Sequence, residues 1–180
     1  KAVRTFANTL ELMDEYPEYK FAQSQAVLYD MVKKYAPDIF SRIKEKVKSG
    51  QWEVMGNAWV EADTNIASGE SLIRQLLYGR EFFLREFGID SDTYWLPDCF
   101  GFTWALPQII KKSGMKNFIT AKLCANDTNA FLHSMFKWRS HSGDDVTAYF
   151  TRVSYQGECD VGRVFECRNG NRQSSIADIS

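Results

Sequence analysis

The chain has 180 residues, of which 44% are hydrophobic and 25% are charged, and its formal net charge is −1. This balance is ordinary for a globular domain that is large enough to bury a sizeable core. Without a basic excess, a nucleic-acid-binding surface is not expected. The longest apolar runs are also too short to span a membrane. We therefore expect neither nucleic acid nor a membrane as a partner.

Cysteine and histidine residues are few and scattered: Cys99, Cys124, Cys159, Cys167, His133 and His141. A zinc site built from these two residue types would need closely spaced pairs, which the sequence lacks. Spread cysteines in a chain of this length favour a reducing compartment over a disulfide scaffold. The chain begins at Lys1 without a signal-peptide pattern, and both of its ends resemble cuts from something longer. We expect a cytoplasmic location.

Apolar periodicity predicts helices and strands in alternation along the first 120 residues. Helical spacing is found over residues 2–15, 26–35, 37–49, 68–87 and about 104–113. Short strands are predicted at 19–22, 51–55, 93–96 and 118–120. Gly50, Gly88 and Gly114 stand where helix-terminating glycines belong. Repeated alternation of this kind predicts parallel βα units, and hence an α/β sheet or barrel.

The character of the sequence changes beyond residue 122. Residues 135–139 and 146–152 have strand patterns, and the segment 141–144 between them has the composition of a tight turn. We therefore predict an antiparallel hairpin in this region. The remainder from Gly157 is polar and poorly periodic.

Asp98 is the most distinctive polar residue of the chain. It directly follows the predicted strand 93–96 and Pro97, and a helix is predicted shortly after it. In parallel α/β folds the active site lies at the carboxyl ends of the strands, so a carboxylate at this point is well placed to meet a ligand. Capping of the following helix is the alternative role, and on this residue alone it is the commoner one.

Two further polar clusters follow predicted strands. Glu61 and Asp63 lie in the loop after the strand 51–55, where they could bind substrate hydroxyl groups, support residues that do, or simply cap the next helix. Lys122 and Asn126 follow the strand 118–120. They could contact a ligand or be ordinary surface residues. Three successive strand ends with polar clusters make a shared site more plausible than any one of them does.

Several longer motifs carry a resemblance to a known family. They are Phe-Ala-Gln-Ser-Gln-Ala (21–26), Gly-Gln-Trp-Glu (50–53), Gly-Asn-Ala-Trp-Val-Glu-Ala-Asp (56–63), Ser-Gly-Glu-Ser-Leu (68–72) with Arg-Gln (74–75), and Trp-Leu-Pro-Asp-Cys-Phe-Gly (95–101). Pro-Gln-Ile (107–109), Gly114, Lys-Leu (122–123) and Asn126 complete the series. In order and spacing, residues 1–150 resemble glycoside hydrolase family 38, the class II α-mannosidases, and most closely the bacterial, vacuolar and cytosolic branch.

The resemblance implies roles for individual residues. Asp98 would be the catalytic nucleophile and also a ligand of Zn²⁺, the expected cofactor. Phe100 would be an aromatic ring close to the sugar, and Lys122 a substrate-contacting residue. Glu61, Asp63 and Asn126 would support this site. The family's other zinc ligands and its acid/base aspartate would lie outside the chain, so the chain alone is not expected to be active.

The resemblance also implies the architecture and the reaction. Residues 1–180 would be part of the N-terminal α/β catalytic domain, an incomplete portion of a seven-stranded (β/α) barrel-like domain, with no second domain. The whole protein would hydrolyse terminal α-mannosides of oligosaccharides with retention of configuration. A mannose-containing oligosaccharide would be its substrate, and self-association of the parent protein is expected.

Two alternatives stand beside this hypothesis. The chain could be an inactive carbohydrate-binding or scaffold fragment that lacks a complete metal site. It could also be an α/β barrel of the deacetylase type that uses Asp and His for metal, although the shortage of histidine argues against this.

Overall fold

The structure is a computed structural model, and it describes residues 1–121 and 133–151. Its helices are α1 (Ala2–Glu15), α2 (Ala26–Tyr35), α3 (Pro37–Lys48), α4 (Gly69–Phe87) and α5 (Leu106–Lys112). Its strands are β1 (Phe21–Gln23), β2 (Trp52–Val54), β3 (Thr93–Trp95), β4 (Asn117–Thr120), β5 (Met135–Arg139) and β6 (Asp145–Phe150).

Parallel pairing dominates the two sheets of the described residues. β1 pairs with β2 in parallel, with Phe21 opposite Trp52. The second sheet has the order β3-β4-β6-β5, in which β3, β4 and β6 are parallel and β5 is antiparallel to β6. The predicted α/β class with parallel strands and the predicted hairpin of β5 and β6 are therefore confirmed. The described strands form two sheets, of two and four strands, and not a closed seven-stranded barrel.

Local sequence explains the long helix α4. The Ser68 hydroxyl oxygen accepts a hydrogen bond from the Ser71 amide at 3.2 Å, which satisfies one of the free N–H groups of the first turn. At the other end Gly88 has a φ of 70°, and its amide donates to the Leu84 carbonyl at 3.0 Å. Both ends agree with the predicted helix, because the capping residues were visible in the sequence.

Several predicted boundaries differ from the observed ones, and two of them show why. The first strand was predicted at 19–22 but begins at Phe21, because its ladder starts where the Phe21 amide donates to the Gln51 carbonyl at 3.0 Å. The helix predicted from Trp104 begins at Leu106, whose amide first closes a turn onto the Thr103 carbonyl at 3.0 Å. Hydrogen bonds to distant strands and local turns decided both boundaries, and neither is visible in apolar spacing.

The buried residues fall into two clusters. The first lies between β1, β2 and helices α1 to α4, and includes Phe6, Tyr29, Trp52 and Phe83, whose rings meet mostly edge to face. The second lies around β3, β4, β6 and α5. No helix within the described ranges is both long and apolar enough to cross a membrane.

Gly56 brings the two sheets together. It follows β2 with a φ of 89°, and a Cβ atom placed on it would lie 3.3 Å from the Cβ atoms of both Ser24 and Trp95. Ser24 follows β1, and Trp95 is the last residue of β3. The ends of these three strands therefore meet around a residue that has no side chain.

Candidate active site

Parallel strands bring the predicted polar residues to one edge of the fold. Asp98 follows β3 by way of Leu96 and Pro97, and it is exposed. The Ala121 amide, just after β4, donates to the Pro97 carbonyl at 3.2 Å. Because the carboxyl ends of parallel strands share an edge, the structure confirms that these strand ends are neighbours.

Glu61 lies at the same edge, where a hydrogen bond joins its side chain to Ser24, the residue that follows β1. The hydroxyl of buried Ser24 donates a short hydrogen bond to Glu61 Oε1. The side-chain oxygen of Gln25 accepts a further hydrogen bond from the Glu61 amide at 3.4 Å. Gln25 has a φ of 63°, which is rare for a residue with a side chain. These contacts place the Glu61 carboxyl group against the first strand.

The negative charge of Asp98 influences the carboxyl group of Glu61. Burial raises the pKa of the Glu61 carboxyl group, and the nearby negative charge of Asp98 raises it further. Hydrogen bonds from Ser24 and Gln25 act in the opposite direction, but the net pKa remains above the ordinary value. The Asp98 carboxylate, from the next strand end, thus lies close enough to Glu61 to affect the ionisation of the Glu61 carboxyl group.

The loops that carry the two carboxyl groups are tied together by Thr64. Its buried hydroxyl donates to the Gly101 carbonyl at 3.2 Å and accepts from the Thr103 amide at 3.1 Å. The Cys99 thiol lies 3.6 Å from the Ala62 carbonyl oxygen. The loop after β2 and the loop after β3 therefore form one hydrogen-bonded unit.

The other predicted site residues differ in how the structure places them. Phe100 is 84% exposed on the same loop as Asp98, where its ring is accessible to a ligand. Asp63 accepts a hydrogen bond from the Asn65 amide at 2.9 Å, a local turn within its own loop. Lys122 and Asn126 lie outside the described residues.

Sequence reasoning missed the parts played by Ser24, Gln25 and Thr64. The first two belong to the Phe-Ala-Gln-Ser-Gln motif, which carried the family resemblance but suggested no role for either. Their partner Glu61 is more than 35 residues away in the chain. A hydroxyl that bridges two distant loops leaves no periodic signal, so only the motif itself could have drawn attention to this pair.

A metal ion would find only part of a coordination shell here. Within residues 1–121 and 133–151, no group of three or more His, Cys, Asp or Glu side chains is arranged to hold one. Asp98 and Glu61 offer carboxylate oxygens, which zinc accepts, but a protein zinc site usually has three or four ligands. Two carboxylates fall short of that number, so the described residues alone do not form a complete zinc site.

Sequence comparisons find known proteins that match almost the whole chain. The chain is 43% identical over 173 residues to "Alpha-mannosidase G" of Dictyostelium discoideum, covering 96% of the chain and 16% of that protein. It is 40% identical over 181 residues to human "Alpha-mannosidase 2C1", covering 100% of the chain and 17% of that protein. The chain thus spans about a sixth of the length of these relatives.

A solved structure has a similar fold. The crystal structure of an α-mannosidase from Enterococcus faecalis V583 superposes with a TM-score of 0.72 at 18% identity, over 83% of this chain and 17% of that one. Residues 1–177 match the family model "Glycosyl hydrolases family 38 N-terminal domain". Because nearly the whole chain matches this family model, the chain belongs to glycosyl hydrolase family 38.

Proposed function

We propose that the full-length protein is a retaining α-mannosidase in which Asp98 is the nucleophile. The observation that supports this most directly is the position of Asp98, exposed at the carboxyl end of β3 and electrostatically coupled to Glu61. The named relatives are α-mannosidases. For this protein we propose terminal α-mannosides of oligosaccharides as the substrates.

A carboxylate in this position has a defined task in retaining hydrolysis. Asp98 would attack the anomeric carbon while the bond to the leaving oxygen breaks and a second carboxyl group gives that oxygen its proton. Water would then release the sugar from Asp98 with the second group acting as base, so that the configuration is restored. This second group would come from outside the described residues.

Zinc is part of the proposal. Asp98 would be one of its ligands, and the remaining ligands would lie beyond the described residues. When bound, the ion would orient sugar hydroxyl groups and stabilise developing charge as a Lewis acid.

The surroundings of Asp98 suggest how a sugar would be held. The exposed ring of Phe100 would contact the sugar, and Lys122 and Asn126 would contribute polar contacts from the loop after β4. Asp63 would support the loop after β2, where it accepts a hydrogen bond from the Asn65 amide. The wider proposal is that residues 1–180 form part of a seven-stranded barrel-like catalytic domain of a cytoplasmic, self-associating enzyme.

The nucleophile assignment can be tested in the full-length protein with Asp98→Asn. This change keeps the size of the side chain but removes its nucleophilic charge. Turnover of an aryl α-mannoside should fall by at least about 10³-fold, because removal of a nucleophile is among the costliest active-site changes. Asp38→Asn is the matched control, because Asp38 is exposed in the first turn of α3.

Two readouts complete the test. The thermal unfolding of Asp98→Asn should match that of the wild type, and nuclear magnetic resonance should show α-mannose as the first product of the wild type. Undiminished turnover by Asp98→Asn, or β-mannose as the first product, would refute the proposal.

A further inference from the structure

The contact between Ser24 and Glu61 joins a buried hydroxyl to a carboxylate at the edge where Asp98 lies. Ser24 is 2% exposed, and its position is fixed by β1 on one side and by Gly56 on the other. Its hydroxyl donates to Glu61 Oε1, so the carboxylate is held from the side of the fold interior. Glu61 itself is half-buried and therefore remains accessible at the edge.

A carboxylate in this setting has capacity for more hydrogen bonds. Its two oxygens together offer about four lone-pair sites, and Ser24 uses one of them. Within the described ranges, no lysine or arginine forms an ion pair with Glu61, in contrast to Glu86, which binds Lys33 and Lys44. The carboxylate of Glu61 is therefore near the like charge of Asp98. In the described part of the chain, Glu61 has no lysine or arginine beside it to balance its own charge.

Such an arrangement is unfavourable for the fold alone. A partly desolvated carboxylate beside a second one costs free energy that a purely structural contact would avoid. A ligand rich in hydroxyl groups would offset this free-energy cost, because a hydroxyl group can donate a hydrogen bond to the charged carboxylate of Glu61. The surface that separates Glu61 from Asp98 is where such a ligand would lie.

We propose that Glu61 is a substrate-binding residue, positioned by Ser24, whose carboxylate accepts a hydrogen bond from one hydroxyl group of the sugar attacked by Asp98. This inference rests on the proposed function and adds a specificity-determining contact to it. Discrimination would follow, because a site built to bind a hydroxyl rejects an analogue that lacks it. Ser24 acts through Glu61, since its own hydroxyl is buried and already donates to Oε1.

A substrate series tests this in the full-length protein. An aryl α-mannoside and its 2-, 3-, 4- and 6-deoxy analogues would be assayed with the wild type, Glu61→Ala, Glu61→Gln and Ser24→Ala. Glu61→Ala should lower kcat/KM on the parent mannoside by about 10- to 100-fold, the range expected for a hydrogen bond to a charged group. On one deoxy analogue, the wild type and Glu61→Ala should agree to within about twofold, since the bond is absent in both.

The other variants keep the inference testable if Glu61→Ala is unstable. Glu61→Gln preserves the size of the side chain and should show a smaller loss on the parent mannoside, which again disappears on the same deoxy analogue. Ser24→Ala should also lower kcat/KM on the parent mannoside, by a still smaller factor, and should have no effect on that deoxy analogue. Glu45→Ala, an exposed change on α3, should have no effect on any substrate.

The outcomes separate the inference from the proposed function. A loss of equal size on every analogue, or no loss on the parent mannoside, would overturn the role of Glu61 while leaving Asp98 as nucleophile. An inactive wild type, or an active Asp98→Asn, would instead overturn the proposed function itself.

Discussion

Trp52 and Tyr29 form a hydrogen bond inside the core: the indole N–H of Trp52 donates to the Tyr29 phenol oxygen at 2.8 Å. The phenol O–H in turn donates to the Gln23 carbonyl at 2.9 Å. Gln23 is the last residue of β1, directly before Ser24. These hydrogen bonds therefore link the first buried cluster, between β1, β2 and helices α1 to α4, to the strand end that carries the Ser24–Glu61 contact.

Tyr29→Phe should destabilise the protein. It leaves the buried indole N–H without its partner and removes the phenol hydrogen bond to the Gln23 carbonyl, which keeps only that from the Met55 amide, at a cost of about 1–3 kcal/mol. Chemical denaturation measures the change, with Tyr35→Phe as the control, because Tyr35 is 71% exposed. If both variants unfold at the same denaturant concentration, the buried hydrogen bond contributes nothing.

Gly79→Ala should be more damaging, although alanine is the better helix former. A Cβ atom at Gly79 would lie 2.5 Å from the Asn57 carbonyl oxygen and 2.6 Å from the Trp59 amide nitrogen. Both are backbone atoms that a rotamer change cannot move, so we expect a loss of about 2–3 kcal/mol. Gly69→Ala is the control in the same helix, since nothing lies within 4 Å of its Cβ position. Equal stability of the two variants would contradict this close packing.

Thr64→Val should loosen the two loops at the candidate site. Valine has the shape of threonine but leaves the Thr103 amide and the Gly101 carbonyl without the bridging hydroxyl. We expect a loss of about 1–3 kcal/mol in unfolding free energy and a lower kcat, because the Asp98 loop loses an anchor. Thr64→Ser keeps the hydroxyl and should retain most of both properties. A fully active and stable Thr64→Val would show that the bridge is dispensable.

Glu86 should make stability depend on pH in the acid range. Burial alone would raise the pKa of its carboxyl group, but hydrogen bonds from Lys33, Lys44 and Arg85 lower it to about 2, from an ordinary value of 4.5. Since the folded pKa lies below the unfolded one, the stabilisation is present above pH 4.5. It is lost as the pH falls from there towards 2.

Glu86→Gln should remove this part of the acid dependence. At neutral pH it should cost only about 1–2 kcal/mol, because the partner lysines are partly exposed to water. The measurement is the denaturation midpoint between pH 2 and 7. Glu81→Gln is the control, since Glu81 is exposed and 3.9 Å from Arg85. A wild-type midpoint that falls no more steeply than that of Glu86→Gln would contradict the prediction.

The helices were predictable because their signals are local. Ser68 and Gly88 define α4, and apolar spacing located α1 and α2 with their observed bounds, Ala2–Glu15 and Ala26–Tyr35. Strand boundaries were less accurate, because pairing with a distant strand decides where a ladder begins. The close approach of the two sheets depends on Gly56, whose role is visible only when Ser24 and Trp95 approach it.

The candidate site was predictable only in outline. The position of Asp98 after a strand was evident from the sequence, but a cap and a nucleophile looked alike until the family motif was considered. Glu61 was one of several polar residues in its loop. Its importance depends on the Ser24 hydroxyl, 37 positions earlier, which no local pattern relates to it.

Gly56 has one more consequence for the candidate site. Because Gly56 has no side chain, the Cβ atoms of Ser24 and Trp95 can both approach it, and this close approach sets the spacing between β1 and β3. Core side chains can repack after a mutation, but a Cβ atom is fixed to its own backbone and cannot rotate away. The separation between the strand that anchors Glu61 and the strand that presents Asp98 should therefore tolerate sequence change in either core. Any side chain larger than hydrogen at position 56 would instead widen the gap between the two carboxyl groups directly.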